Sequence, residues 1–213
     1  MAIVVDDGDV QITRLELGPY GTNAYIVVCK ITEDSLLVDA PAEAGTILRQ
    51  LNGTHPRYIV LTHNHMDHTG ALAELKDQLR IPLATHPLDS AGLPCRPDIN
   101  LADGSSLNIG ALKIGVIHTP GHTPGSVCLL VGRYLLAGDT IFPGGPGHTA
   151  TPANFQQVVR TIESKIMPLP DNIVIYPGHG DAASLEGEKK SFFSFISRTH
   201  AADLCGDVTW SAE

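Results

Sequence analysis

Thr62-His63-Asn64-His65-Met66-Asp67-His68-Thr69-Gly70 decides how this chain is read. Four metal-capable side chains, His63, His65, Asp67 and His68, fall within six positions, directly after the apolar run Tyr58-Ile59-Val60-Leu61. That run is short and rich in β-branched and aromatic residues, which predicts a buried strand. Ala71, Leu72, Leu75 and Leu79 recur at helical spacing, which predicts a helix after Gly70. The candidate ligands therefore occupy a strand-to-helix turn at the carboxyl end of a strand, where α/β proteins place their chemistry. In extended backbone, residues two apart point the same way, so His63 and His65 can reach one ion together. Asp67 and His68 follow the start of the turn and can face a second ion. Imidazole and carboxylate donors suit zinc, iron or manganese rather than calcium or magnesium.

Outward from this stretch, the pattern alternates strands and helices. Val10–Leu17 reads as a half-buried strand, Gly18-Pro19-Tyr20-Gly21 as a turn, and Asn23–Cys29 with Ser35–Asp39 as a strand pair. Ala44, Ile47, Leu48 and Leu51 predict a short amphipathic helix closed by Gly53. Ile81–Thr85 reads as the next strand, and His86–Ser106 as a loop region with a short helical piece. Strands follow at Leu112–His118, Ser126–Val131 and Tyr134–Ala137. Asn154, with Gln157 three residues on, predicts a capped helix whose apolar face is Phe155, Val158, Val159, Ile162 and Ile166. Asn172–Tyr176 predicts another strand, and Ser184 caps a last helix through Phe192, Phe193 and Ile196. No repeat or linker divides the chain, so one domain over residues 1–213, with two stacked sheets between helical layers, is the economical expectation.

Three further turns carry metal-capable residues after strands: Thr119-Pro120-Gly121-His122-Thr123-Pro124-Gly125, Ala137-Gly138-Asp139-Thr140 and Tyr176-Pro177-Gly178-His179-Gly180. Glycine or proline beside each residue makes a rigid turn that can approach an ion closely. The series His63-x-His65-x-Asp67-His68, then His122, Asp139 and His179, resembles the complete ligand set of the metallo-β-lactamase fold superfamily, over roughly residues 10–185. The resemblance implies an αβ/βα four-layer sandwich with the site at the sheet edges. It implies a first metal on His63, His65 and His122, a second on Asp67, His68 and His179, and Asp139 bridging the two. Asp67 and Asp139 are the expected catalytic carboxylates, Asp67 orienting a bridging hydroxide.

The contexts of Thr119–Ser126 and Gly138-Asp139-Thr140-Ile141-Phe142 resemble the glyoxalase II branch, the hydroxyacylglutathione hydrolases. This implies hydrolysis of a thioester by a dinuclear centre, most naturally of zinc. Pro146-Gly147-His148 departs from the Cys-Gly-Arg usual there, Gly180-Asp181 departs from the usual Glu-Tyr, and the residues after His179 offer only Lys189-Lys190 as a basic pair where that branch has a long basic helical region. Other expectations on the same fold are a mononuclear-iron persulfide dioxygenase using His63, His122 and Asp139, a lactonase, and a non-catalytic metal-binding scaffold. His148, on the glycine-rich loop after Asp139, is expected to overhang the site and contact substrate.

Composition narrows the partners. A net charge of −9 with no Lys/Arg cluster argues against nucleic acid and against anionic membranes. The four cysteines form no C-x-x-C pair, and no disulfide framework is expected. No apolar run is long enough to span a membrane, and the N-terminus shows no basic region or cleavage site, so a cytoplasmic protein acting on a small ester or thioester is the expectation.

Overall fold

The computed structural model describes residues 1–211. Its first sheet has seven strands in chain order: β1 (Ala2–Asp7), β2 (Val10–Leu17), β3 (Thr22–Cys29), β4 (Asp34–Val38), β5 (His55–Val60), β6 (Leu83–Thr85) and β7 (Ile99–Asn100). Pairing is antiparallel from β1 to β4 and parallel from β4 onward. The second sheet contains β8 (Ser106–Ile109), β9 (Leu112–His118), β10 (Val127–Val131) and β11 (Tyr134–Gly138). A small ribbon of β12 (Ile141–Phe142) and β13 (Gly145–Pro146) stands apart. The second sheet then resumes with β14 (Val174–Pro177), parallel to β11, and ends on β15 (Ala183–Ser184). The described residues also form five α-helices, α1 (Ala44–Leu51), α2 (Met66–Thr69), α3 (Leu72–Leu79), α4 (Pro152–Thr161), which runs on as a π-helical turn over Ile162–Ile166, and α5 (Leu185–Ile196).

The period of two along each strand explains the layers. In β3, Tyr25 and Val27 face the other sheet while Ala24 and Ile26 face helices. In β4, Leu36 and Val38 point between the sheets and Leu37 points outward. In β10, Val127, Leu129 and Val131 point inward and Cys128 outward. Such strands are apolar on both faces because each face is covered. One core therefore lies between the sheets. A second packs the outer face of the first sheet on Ile47 and Leu51 of α1 and Leu72 and Leu75 of α3. A third packs the second sheet on Phe155 and Val158 of α4 and Phe192 and Phe195 of α5. This is the helix–sheet–sheet–helix sandwich that the sequence led us to expect.

Several local expectations shift. β1 was not foreseen; it is an edge strand whose residues are mostly exposed, so no burial pattern marks it. The strand expected over Ile81–Thr85 begins at Leu83, and the Pro82 carbonyl just before it accepts from the Ile59 N–H at 3.0 Å. Within His86–Ser106 the helical piece is a 3₁₀ turn, Pro87–Asp89, accompanied by the two-residue β7. Helix α4 starts earlier than Asn154: Thr151 is its N-cap, accepting from the Asn154 N–H at 3.2 Å, and Pro152 occupies the first turn. Proline suits that position, since its missing N–H would have no intrahelical partner there. Gln157 closes no capping box but donates to Thr161 at 3.3 Å. Ser184 caps α5 as expected, accepting from the Gly187 N–H at 3.2 Å. Its buried aromatic pair is Phe192 with Phe195, however, and Phe193 is exposed.

Candidate metal centre

Both sheets deliver their chemistry to the same edge. From the first sheet, Asp39 follows β4 and the segment from Thr62 to His68 follows β5, with α2 turning the chain at Met66. From the second, Asp139 follows β11, His179 follows β14, and His122 sits on the loop joining β9 to β10. Backbone hydrogen bonds lock the two edges together: the Val127 N–H donates to the Thr62 carbonyl at 2.8 Å, and the Asn23 N–H donates to the Gly178 carbonyl at 2.7 Å. All seven residues singled out in the sequence converge here, in three overlapping groups: His63, His65 and His122; Asp67, His68 and His179; and His63, His68 and Asp139. Within each group the donor atoms lie within 4.8 Å of one another.

The outer ring nitrogens explain the orientation. His68 Nδ1 donates to Asp39 Oδ2 at 2.8 Å. His63 Nδ1 lies 3.0 Å from Thr62 Oγ1, which itself donates to Asp39 Oδ2 at 2.8 Å. His122 Nδ1 donates to the backbone carbonyl of His148 at 2.7 Å, and His179 Nδ1 to that of Tyr20 at 3.2 Å. Each of these rings thus presents Nε2 to the centre, the arrangement in which an outer acceptor fixes tautomer and aim. His65 alone presents Nδ1, 2.9 Å from His122 Nε2. His122 Nε2 is 3.3 Å from His63 Nε2, and His68 Nε2 is 3.4 Å from His179 Nε2. Nitrogens bound to zinc at about 2.0–2.1 Å in a tetrahedron stand roughly 3.3 Å apart, so the spacing fits shared cations.

Asp139 sits between the groups. Its Oδ1 is 3.4 Å from His68 Nε2, and its Oδ2 is 3.6 Å from both His122 and His179 Nε2 and 4.0 Å from His63 Nε2. Oδ1 is buried, yet no hydrogen bond reaches it. A buried carboxylate oxygen left without a partner is costly, and a cation resolves it. Glycine lets the backbone close on this group: a Cβ on Gly178 would run into the Asp139 carboxylate and the His68 ring, and one on Gly147 into the Asp139 carbonyl. The donors present therefore fit two divalent ions.

The charges inside the cluster are strongly biased. Burial opposes the charge on His68, but Asp39 and Asp139 outweigh it and push its pKa up to about 10. Burial pushes His63 well below the ordinary imidazole range, and the neighbouring His68 adds to this. Burial likewise lowers His122. Burial works against the Asp139 carboxylate, but the surrounding His68, His63 and His122 rings hold it far below the usual carboxylate range.

Asp39 was missed in the sequence. It is 1% exposed, takes a left-handed backbone at φ 61°, and accepts from the Thr62 N–H at 2.8 Å as well as from Thr62 Oγ1 and His68. The signal was an acid closing the apolar run Leu36-Leu37-Val38, since an acid in a buried place must be paired. His148 lines a cleft that also includes Asp139 and His179, with its ring Nδ1 3.0 Å from Asp207 Oδ1. His118 lies off the centre, its ring stacked on His86 at 3.9 Å. Tyr25 is buried and donates to the Pro177 carbonyl at 2.7 Å, whereas Phe142 lines the cleft. No helix among the described residues is long and apolar enough to cross a membrane.

Comparison with known proteins agrees with this picture. The family model of the metallo-beta-lactamase superfamily matches residues 17–179. A probable metallo-hydrolase, YqgX, of Bacillus subtilis is 33% identical over 78% of this chain and 89% of its own. A hydroxyacylglutathione hydrolase of Anaeromyxobacter dehalogenans is 35% identical over 77% of this chain, but the match spans only 64% of that longer protein. The crystal structure of TTHA1623 in a di-iron-bound form superposes with a TM-score of 0.69 at 32% identity, covering 83% of this chain and 96% of that one.

Proposed function

The chain belongs to the metallo-β-lactamase superfamily, and on that premise we propose that it is a dinuclear metallo-hydrolase that cleaves a thioester or a related ester. The observation that carries the reading is the Asp139 carboxylate lying between two donor groups, its Oδ2 3.6 Å from Nε2 of both His122 and His179 and its buried Oδ1 without a hydrogen bond. His63, His65 and His122 would hold one ion, Asp67, His68 and His179 the other, and Asp139 both. Zinc is the first choice, and the di-iron state of TTHA1623 supports iron as the alternative. Two adjacent divalent cations, when bound, bring the pKa of water towards neutrality and polarise a carbonyl.

The protein's own groups do the rest. Asp67 Oδ2 accepts from the Thr22 hydroxyl at 3.2 Å and lies 3.2 Å from His179 Nε2, so its carboxylate is held facing the centre. It is placed to orient the attacking water and to hold its proton. No serine or cysteine nucleophile is required, and a thiolate is a good leaving group. The name of the Anaeromyxobacter relative supports a thioester as substrate, and the contexts of His122 and Asp139 support the same branch.

Metal analysis of the protein as isolated, followed by a panel of thioesters and lactones, tests the reading. About two ions per chain and metal-dependent turnover are expected. One iron per chain, with oxygen consumed in the presence of a persulfide, would replace the hydrolase with a dioxygenase using His63, His122 and Asp139.

A further inference from the structure

Beside the His/Asp cluster lies a cavity of about 400 Å³ with Asp139 and His179 at its base. Its walls include the turn carrying Phe142 and Pro146 and the segment carrying Asp207 and Val208, which pack on each other where Gly145 meets the Val208 carbonyl. Both walls are fixed in place. Buried Glu188 accepts at Oε2 from the Gly144 N–H at 3.0 Å and from the Trp210 indole N–H at 3.0 Å. The Trp210 backbone N–H donates to the Gly144 carbonyl at 2.7 Å, and Thr149 and Gly206 pair through their backbones at 3.2 and 2.9 Å. Away from the base, the charged group facing this cavity is Asp207, whose carboxylate is 3.0 Å from the His148 ring; among the described residues no Lys or Arg lines it. A second cavity, of about 90 Å³, has the ligand candidate Asp67 in its lining together with Tyr20, Pro41 and Met66.

We infer that the scissile group lies between these two cavities and that the larger one takes an uncharged, apolar arm of the substrate, leaving room for only a short arm on the other side. The inference rests on the hydrolase reading of the cluster. An apolar arm is stabilised by covering Phe142, Pro146 and Val208. A carboxylate-bearing arm would meet the like charge of Asp207, with no Lys or Arg in the lining to pair it, which is unfavourable.

The test uses the metal-loaded protein and two matched series of thioesters. In one, an uncharged alkyl arm is lengthened, first on the acyl side and then on the thiol side; in the other, that arm ends in a carboxylate, with a glutathione thioester included. Lengthening one of the two uncharged arms is expected to raise kcat/KM by about tenfold, and ending it in a carboxylate to lower kcat/KM by about tenfold. Asp207→Lys, at a side chain 89% exposed, is expected to narrow that second ratio by about threefold. Equal or better turnover of the carboxylate series, with the ratio unmoved in D207K, overturns the inference and leaves the hydrolase intact. Absence of turnover on either series at full metal loading overturns both.

Discussion

The two sheet edges build the metal centre by opposite means. The first sheet supplies His63, His65, Asp67 and His68 from one unbroken turn, and steadies two of them with a single carboxylate, Asp39. The second supplies His122, Asp139 and His179 from three turns far apart in the chain, and steadies them by close backbone packing. There Gly121 presses on Val158 of α4, Gly125 on the buried carboxylate of Asp89, and Gly178 on Asp139 itself. Asp89 completes that brace, its Oδ1 accepting from the Gly125 N–H at 2.7 Å and its Oδ2 from the Thr123 hydroxyl at 2.6 Å. The contrast teaches that the first half hangs on one charge beneath a single turn, whereas the second hangs on several close backbone contacts that added volume would disturb.

The contrast can be broken most sharply at Asp139, which the second sheet supplies and which we propose serves both donor sets. Asp139→Ala is expected to lower turnover by more than about 100-fold and to loosen both ions, as read by elemental analysis and steady-state rates. Retention of both ions would remove Asp139 from its shared role. Asp39→Asn tests the first half. Asn tolerates the left-handed backbone found there, so the change isolates the charge. Metal affinity should fall about 10- to 100-fold with little change in the fold, measured by competition with a chelator. Gly121→Ala tests the second half. Its φ of 145° and the nearness of Val158 predict a loss of stability of about 1–3 kcal/mol in urea unfolding.

The smallest effect concerns protons. His68, free of metal, has its pKa raised from the ordinary 6.5 to about 10. Its contribution to folding is then fully present below pH 6.5 and is lost as pH rises through 10, so the metal-free protein should weaken over that window. An ion must displace that proton, so binding should tighten as pH rises and release about one proton from His68 near pH 8. Titration calorimetry in buffers of different ionisation enthalpy measures it.

The same asymmetry governs what the sequence disclosed. The first half was legible because its ligands are contiguous and their spacing carries the geometry. His122, Asp139 and His179 were found only because a turn of glycine or proline accompanies each, and their meeting is a product of the sandwich. The layers followed from apolar strands that leave no face for water. What escaped was set by tertiary contact: Asp39 as the acid beneath the turn, Asp89 inside a region read as loop, and the start of α4 at Thr151. Asn154 is a plausible cap by composition, but its side chain is drawn away to the Gly121 carbonyl at 3.2 Å, where it helps hold the His122 turn.

The hydrogen bonds from Val127 to Thr62 and from Asn23 to Gly178 have a consequence for the order of assembly. Each joins a ligand-bearing turn of one slab to a strand of the other. A growing chain that has emerged only through β7 already carries four donors, yet neither of its incomplete sets can close around an ion until the second slab docks. Completion of either donor set is therefore expected only once the two slabs have joined.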